Sequence, residues 1–247
     1  MRLVTTDAIV LRTYNLAESD RIVLCLTRSS GLVRAVAKGA RRMKSRFGAA
    51  LEPFTLIKLT FHEKENRELV TISAAEILES HFDLTSNLES AEVLAYMGEL
   101  VAEFAPPHET DELLFRMLAA CVEALAQEKG RDRVLTRYFE IWLLRLAGLF
   151  PDLRSCASCG IPLDAPAKIS VDSELRPRCH QCNPGNASSL SPEALRIIRA
   201  THRLSPANFA EKHRLSERQY SEIGDLTQRL ITRAIERRPR TLVAFSR

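Results

Sequence analysis

The sequence predicts an α+β multidomain chain: a small N-terminal β-barrel, then an α-helical bundle with a four-cysteine zinc knuckle inserted in it. Apolar residues recur with a period of two up to about residue 80, and with a period near 3.6 from about residue 84. Two C-x-x-C pairs, Cys156/Cys159 and Cys179/Cys182, then stand nineteen residues apart (160–178). The expected domains are 1–80 for the barrel, 84–150 for helices, 151–187 for the zinc module, and 188–247 for C-terminal helices that complete the bundle. A chain of 247 residues has ample apolar content for such cores.

In the first eighty residues, Ala8 to Thr13, Arg21 to Thr27, Leu32 to Lys38, Phe54 to Phe61 and Leu69 to Ile77 read as strands. Ser29-Ser30-Gly31 supplies one turn and Glu63-Lys64-Glu65-Asn66-Arg67 another. In the third strand Val33, Ala35 and Ala37 share one side, and Arg34, Val36 and Lys38 the other. Five short strands suit a small closed barrel such as the OB-fold; an SH3-like barrel reads almost the same.

From Arg28 to Arg46 there are seven basic residues (Arg28, Arg34, Lys38, Arg41, Arg42, Lys44, Arg46) and no Asp or Glu. Gly39 and Gly48 bracket the densest part. Such a stretch suits a phosphate backbone, with Tyr14, Phe47, Phe54 or Phe61 as possible stacking faces. Phe61 shares a strand face with Ile57 and Leu59, which points to the core instead. A solvated loop is the plain alternative. Gly39 to Ser45 resembles the end of a P-loop, but the glycine before the lysine is missing, so nucleotide hydrolysis is not expected.

Leu88 to Phe104 has helical spacing and stops at Pro106-Pro107. Thr110 is read as the N-cap of a second helix, since Asp111 and Glu112 follow it. Arg131 to Leu149 is apolar on most sides and belongs inside a bundle. Ser191-Pro192-Glu193 starts another helix, and Ser216-Glu217 the last. From Arg229 to Arg247 six arginines face one Glu236, a second basic stretch.

The cysteine spacing is that of a zinc site. Each two-residue spacer lets both sulfurs of a knuckle reach one ion, and four thiolates leave no open position, so the metal is structural. Gly160 after the first knuckle, Pro177 before the second and Asn183-Pro184-Gly185 beyond it fit the turns required. His180 is read as a bystander. Two disulfides would need an oxidising compartment. The N-terminus lacks the apolar core of a signal peptide and no run is long enough to span a bilayer, so a cytoplasmic protein is expected. Cys25 and Cys121 are expected in the core.

The order of parts resembles the bacterial DNA repair protein RecO (recombination mediator) family. The likeness is carried by AIVLRTYNLAESDRIVLCLTRSSGLVRAVAKGARRMKSRFGAALEPF (Ala8–Phe54), by FEIWLLRLAGLFPDLRSCASCG (Phe139–Gly160), and by the plan of barrel, bundle and knuckle. The resemblance implies an OB-fold that binds single- and double-stranded DNA and a chain that anneals complementary strands. It implies no catalytic site. Its implied partners are RecR and the C-terminal tail of single-stranded-DNA-binding protein, with RecA loading as the outcome and the nucleoid as the location. Carried over for DNA are Arg34, Lys38, Arg41, Arg42, Lys44 and Arg46. The rival reading is a zinc-containing protein-interaction adaptor whose basic loop meets an acidic protein. An enzyme is disfavoured because the six histidines (62, 81, 108, 180, 202, 213) are scattered away from Cys, Ser and carboxylate partners.

Overall fold

The computed structural model describes residues 2–63, 69–106, 109–163, 169–183 and 188–242. The turn expected at 63–67, Pro107, His108, Pro184-Gly185 and the tail from 243 lie wholly or mostly outside these. The described chain forms two compact units, 1–126 with 239–247, and 127–238. This division differs from a helical domain spanning 84–150, because the first long helices pack with the β-sheet unit.

In the first unit five strands run Arg2–Leu16 (β1), Asp20–Thr27 (β2), Gly31–Ala37 (β3), Leu56–Glu63 (β4) and Leu69–Glu79 (β5). β1 pairs with β2 along one part of its length and with β4 along another. β3 pairs with β2 and, in parallel, with β5, which returns to β4. The sheet therefore closes on itself in the order β1-β2-β3-β5-β4. Its inner face carries Ala8, Val10, Val23, Cys25, Val33, Ala35, Ala37, Ile57, Leu59, Phe61 and Ile72, all buried. Small residues dominate on β3 because a ring of five strands leaves a narrow interior.

β1 is longer than the sequence suggests because its first half serves β4 and its second half β2, with a register shift between Val10 and Arg12. Gly31 opens β3 at φ 61°, and a Cβ there would lie 2.2 Å from the carbonyl oxygen of Glu109. Only glycine fits. A 3-10 turn at Gly48–Leu51 places Phe47, Ala50 and Leu51 in the same core.

A short helix Phe82–Ser86 (α1) leads into Leu88–Phe104 (α2), capped by the Asn87 side chain, which accepts from the Ser90 N–H. The next helix is Glu112–Gln127 (α3). Its cap is not Thr110: the Asp111 carboxylate accepts from the Leu114 N–H at 2.9 Å, while the Thr110 hydroxyl donates to the Ser29 carbonyl at 3.0 Å. Tertiary structure claims the threonine, and the next acid fills the vacant cap. The returning C-terminal segment is held on this unit by Glu99, 2% exposed, whose carboxylate accepts from the N–H groups of Arg240 and Thr241, both at 2.9 Å.

The second unit contains Asp132–Leu146 (α4), three short strands Ile169–Val171 (β6), Pro177–Arg178 (β7) and Ser188–Leu190 (β8), then Pro192–Ala200 (α5), Pro206–Lys212 (α6) and Glu217–Ala234 (α7). α4 buries ten residues, among them the polar Thr136, Arg137 and Glu140. Against it α7 sets Ile223, Leu226, Leu230 and Ile231. Two buried charges lie among them: Arg137 donates to Glu140, which also accepts from the Thr227 hydroxyl at 2.6 Å. Gly224 makes room, since a Cβ there would sit 2.5 Å from Nη2 of Arg137. Ser191 caps α5, and Ser216 with Gln219 forms a capping box on α7.

Candidate nucleic-acid interface and metal centre

The six carried-over cations are all exposed: Arg34 on β3 and Lys38, Arg41, Arg42, Lys44 and Arg46 on the segment after it. Arg34 lies on the outer face because its neighbours Val33 and Ala35 fill the core. Cross-strand register aligns Arg12, Leu24, Arg34 and Leu69 in one row of that face, and Tyr14, Ile22, Val36 and Thr71 in the next. Two carboxylates of this unit are held by arginines outside the six. Asp7 pairs with Arg28 at 3.0 Å and Glu52 with Arg21 at 3.4 Å. Of the seven basic residues, Arg28 is therefore engaged, and it also stacks on Phe115.

The segment 38–47 is built, not loose. Its start is tied to the β1–β2 turn. The Gly39 N–H donates to the Asp20 carboxylate at 2.8 Å, the Arg41 N–H to the Ser19 carbonyl at 2.9 Å, and the Arg41 guanidinium to the Ala17 carbonyl at 3.0 Å. Two successive turns follow, closed by Arg42 N–H to Gly39 carbonyl at 3.1 Å and Ser45 N–H to Arg42 carbonyl at 2.9 Å. At its end Arg46 stacks on the buried Phe47 ring at 4.9 Å and donates to the Ile72 carbonyl. The Gly39 N–H, then the Ser19 hydroxyl, hold the Asp20 carboxyl below its ordinary value of 3.8; Lys38 and Arg42 add to this. Asp20 is the acid that the linear stretch lacked. Sequence reasoning missed it, although an aspartate ending the turn Ala17-Glu18-Ser19 is a common amide acceptor.

Among the four aromatics suggested as stacking faces, Phe47 and Phe54 are 3% exposed and Phe61 is 1% exposed. Burial removes all three from that role. Phe54 packs against Gly98 of α2, where a Cβ would meet its ring at 3.1 Å. Tyr14 remains, 48% exposed on the outer face of β1.

In the second unit the cysteines converge. The sulfurs of Cys156, Cys159, Cys179 and Cys182 all lie within 4.8 Å of one another, and those of Cys159 and Cys179 are 3.8 Å apart. A tetrahedral ion with sulfur at about 2.3 Å requires a sulfur separation of about 3.8 Å, so the donor set fits one metal ion. The backbone builds the cluster. Gly160 at φ 73° turns the first knuckle, whose Gly160 N–H donates to the Cys156 carbonyl at 2.9 Å. The Ala157 N–H donates to the Pro177 carbonyl at 2.8 Å, joining the first knuckle to β7 and hence to the second.

Burial opposes a thiolate at Cys156, but N–H groups from Cys179, Cys159 and Ser158 outweigh it and bring that thiol down to about 6. Cys182 is pushed up to about 12, chiefly by Cys179 and then Cys159. Four crowded sulfurs cannot all ionise without a cation between them. His180 is exposed and is not part of this cluster. Near it, Asp172 braces the β6–β7 turn by accepting from Arg176 and Arg178. Cys25 and Cys121 are buried, and burial pushes both thiols up, Cys25 to about 12.

The second basic stretch does not stay together in one unit: Arg229, Arg233, Arg237 and Arg238 belong to the second and Arg240 to the first. Arg233, Arg238 and Arg240 are exposed, whereas Arg229 is half-buried on α7 and donates to the Asp225 carbonyl.

Together these features define a two-unit protein, one unit displaying cations on a closed sheet and the other stitched by a four-cysteine cluster. The descriptions "Recombination protein O N terminal" and "Recombination protein O C terminal" match residues 1–81 and 86–242. The chain is similar to the DNA repair protein RecO of Anaeromyxobacter sp. (strain K), 35% identical over 85% of this chain and 82% of that one. It is similar to the RecO of Anaeromyxobacter dehalogenans (strain 2CP-1 / ATCC BAA-258), 36% identical over 82% and 79%. To the RecO of Koribacter versatilis (strain Ellin345) it is 35% identical over 159 residues, 64% of each chain. The chain belongs to the recombination protein O family, and its role lies in DNA repair and recombination.

Proposed function

We propose that the protein is a DNA-binding recombination mediator without a catalytic site of its own. On this reading the closed sheet is an OB-fold. Its outer β1–β3 face and the segment after β3 hold DNA through Arg34, Lys38, Arg41, Arg42, Lys44 and Arg46. The observation that carries the reading is the preformed, exposed cationic segment tied to the β1–β2 turn. A segment whose backbone is already anchored presents its guanidinium and ammonium groups to phosphates without ordering a loop first, which keeps the entropic cost of binding low. Phosphate contacts carry no sequence information, so binding is indifferent to sequence. Two strands lying along one cationic face repel each other less, and complementary strands then anneal.

The family membership supports the wider role: with RecR, the protein helps load RecA onto DNA coated by single-stranded-DNA-binding protein, whose C-terminal tail it binds. The four cysteines would hold one structural zinc ion, which braces the β6–β8 sheet against the helices and supplies no chemistry. The expected place of action is the cytoplasm, at the nucleoid. Among the described residues no helix is long and apolar enough to cross a membrane.

The test is strand annealing with two unrelated pairs of complementary oligonucleotides. Equal acceleration of both pairs supports the reading. No acceleration and no DNA retention at low salt would favour the zinc-containing adaptor, whose cations meet an acidic protein.

A further inference from the structure

Met43 is the most exposed large apolar side chain among the described residues, at 104% of its reference exposure. It occupies a central position of the turn closed by Ser45 N–H to Arg42 carbonyl at 2.9 Å, with Lys44 beside it. The turn is anchored at both ends. Asp20, Ser19 and Ala17 hold residues 39 and 41, and buried Phe47 with the Arg46 bond to Ile72 holds the other side. The side chain therefore projects from a fixed platform with Arg41 and Arg42 before it and Lys44 after it, all exposed.

At that exposure Met43 buries none of its side chain against the described residues, so its thioether is free to meet a ligand. A lysine or serine would serve a merely solvated turn equally well. We propose that Met43 is an apolar wedge: it inserts between neighbouring bases of single-stranded DNA while the flanking cations hold the phosphates on either side. This rests on the DNA-binding reading above and adds to it the residue that contacts bases.

The chemistry fits a single strand better than a duplex. Bases in a single strand separate at small cost, and a flexible, polarisable methionine lies against the face of any base, so insertion is tolerant of sequence. Apolar side chains, methionine included, are used in this way to part base steps. The flanking cations carry full charges and suit the phosphates that border the parted step.

The experiment uses the full-length protein and a single-stranded oligonucleotide carrying 2-aminopurine, a base whose fluorescence rises when it unstacks. The wild-type protein is expected to raise the fluorescence on binding. Met43→Ala should bind about 2- to 12-fold more weakly, the range expected for one sulfur–ring interaction. It should keep the wild-type salt dependence and fail to raise the fluorescence; Met43→Leu should restore the fluorescence rise and only part of the affinity. Because the side chain is fully exposed, thermal unfolding should be unchanged in either variant. Wild-type binding with Met43→Ala equal to it in affinity and fluorescence would overturn the wedge and leave the phosphate-binding reading intact. No binding by the wild-type protein at low salt would overturn both.

Discussion

The pair Arg137–Glu140 fixes how α4 and α7 pack, and removing one partner should be costly. Glu140 is fully buried and Arg137 is 3% exposed. Glu140→Ala would remove the carboxylate to which Arg137 donates and leave the guanidinium its bond to the Tyr220 carbonyl at 3.2 Å and the face of the Tyr220 ring. Thr227 would keep the Ile223 carbonyl as an alternative acceptor at 3.1 Å, so its hydroxyl adds little to the loss. Breaking a buried ion pair by removing one partner costs about 3–5 kcal/mol. For a unit of this size that corresponds to a fall in Tm of roughly 10–20 °C. The double variant Arg137→Met, Glu140→Leu removes both charges at similar volume and should lose far less, because no buried charge is left over. Calorimetry or circular dichroism on wild type, single and double variants measures this. A Glu140→Ala shift below about 3 °C, or a double variant as damaged as the single, would refute the reasoning.

Other outcomes follow from the same structure. Gly31→Ala should destabilise the first unit by more than about 1 kcal/mol, since φ 61° and the Glu109 carbonyl 2.2 Å away act together; denaturant titration reads it. Purified protein should carry one zinc per chain by elemental analysis. Cys156→Ser with Cys179→Ser should abolish the metal and expose 151–183 to protease, and a double variant that stays metal-free, protease-resistant and fully active would contradict a structural role. The Asp20 carboxyl has a folded pKa below 3.8, so its tie to Gly39 is complete above that value and is lost as the pH falls through the lower, folded one. The Gly39 amide chemical shift should therefore titrate with a midpoint below 3.8; a midpoint above it would show that the tie is weak.

Much of this architecture is legible in the sequence, for reasons that differ between elements. The strands of the first unit show themselves because a sheet with one buried face must alternate, as Val33, Ala35 and Ala37 do against Arg34 and Val36. α5 and α7 begin where Ser191 and Ser216 announce a cap. The cysteines are legible from spacing alone, because local geometry brings each pair together. Missed elements depend on long-range structure. β6, β7 and β8 are too short to show a period, and they are defined only by pairing with one another. α6 was legible from Ser205-Pro206, the same signal that marks α5, but its seven residues are too few for a clear stripe. Thr110 gives up its capping role to a hydrogen bond 81 residues away. The burial of Phe47 and Phe54 depends on the 3-10 turn and on Gly98, neither of which has a strong sequence signature. Asp20 is the clearest case: charge counting along 28–46 found no acid, and the fold supplies one from the preceding turn.

The measurement that tests the central claim most directly is the salt dependence of single-stranded DNA binding, read by fluorescence anisotropy. Wild type and the triple variant Arg41→Glu, Arg42→Glu, Lys44→Glu would be compared at several salt concentrations. If these cations hold phosphates, the wild-type log–log slope is steep and the triple variant flattens it by roughly 2, about 0.7 for each phosphate left unneutralised. A triple variant that binds with wild-type affinity and slope would show that DNA is held elsewhere, and would contradict the assignment of this segment.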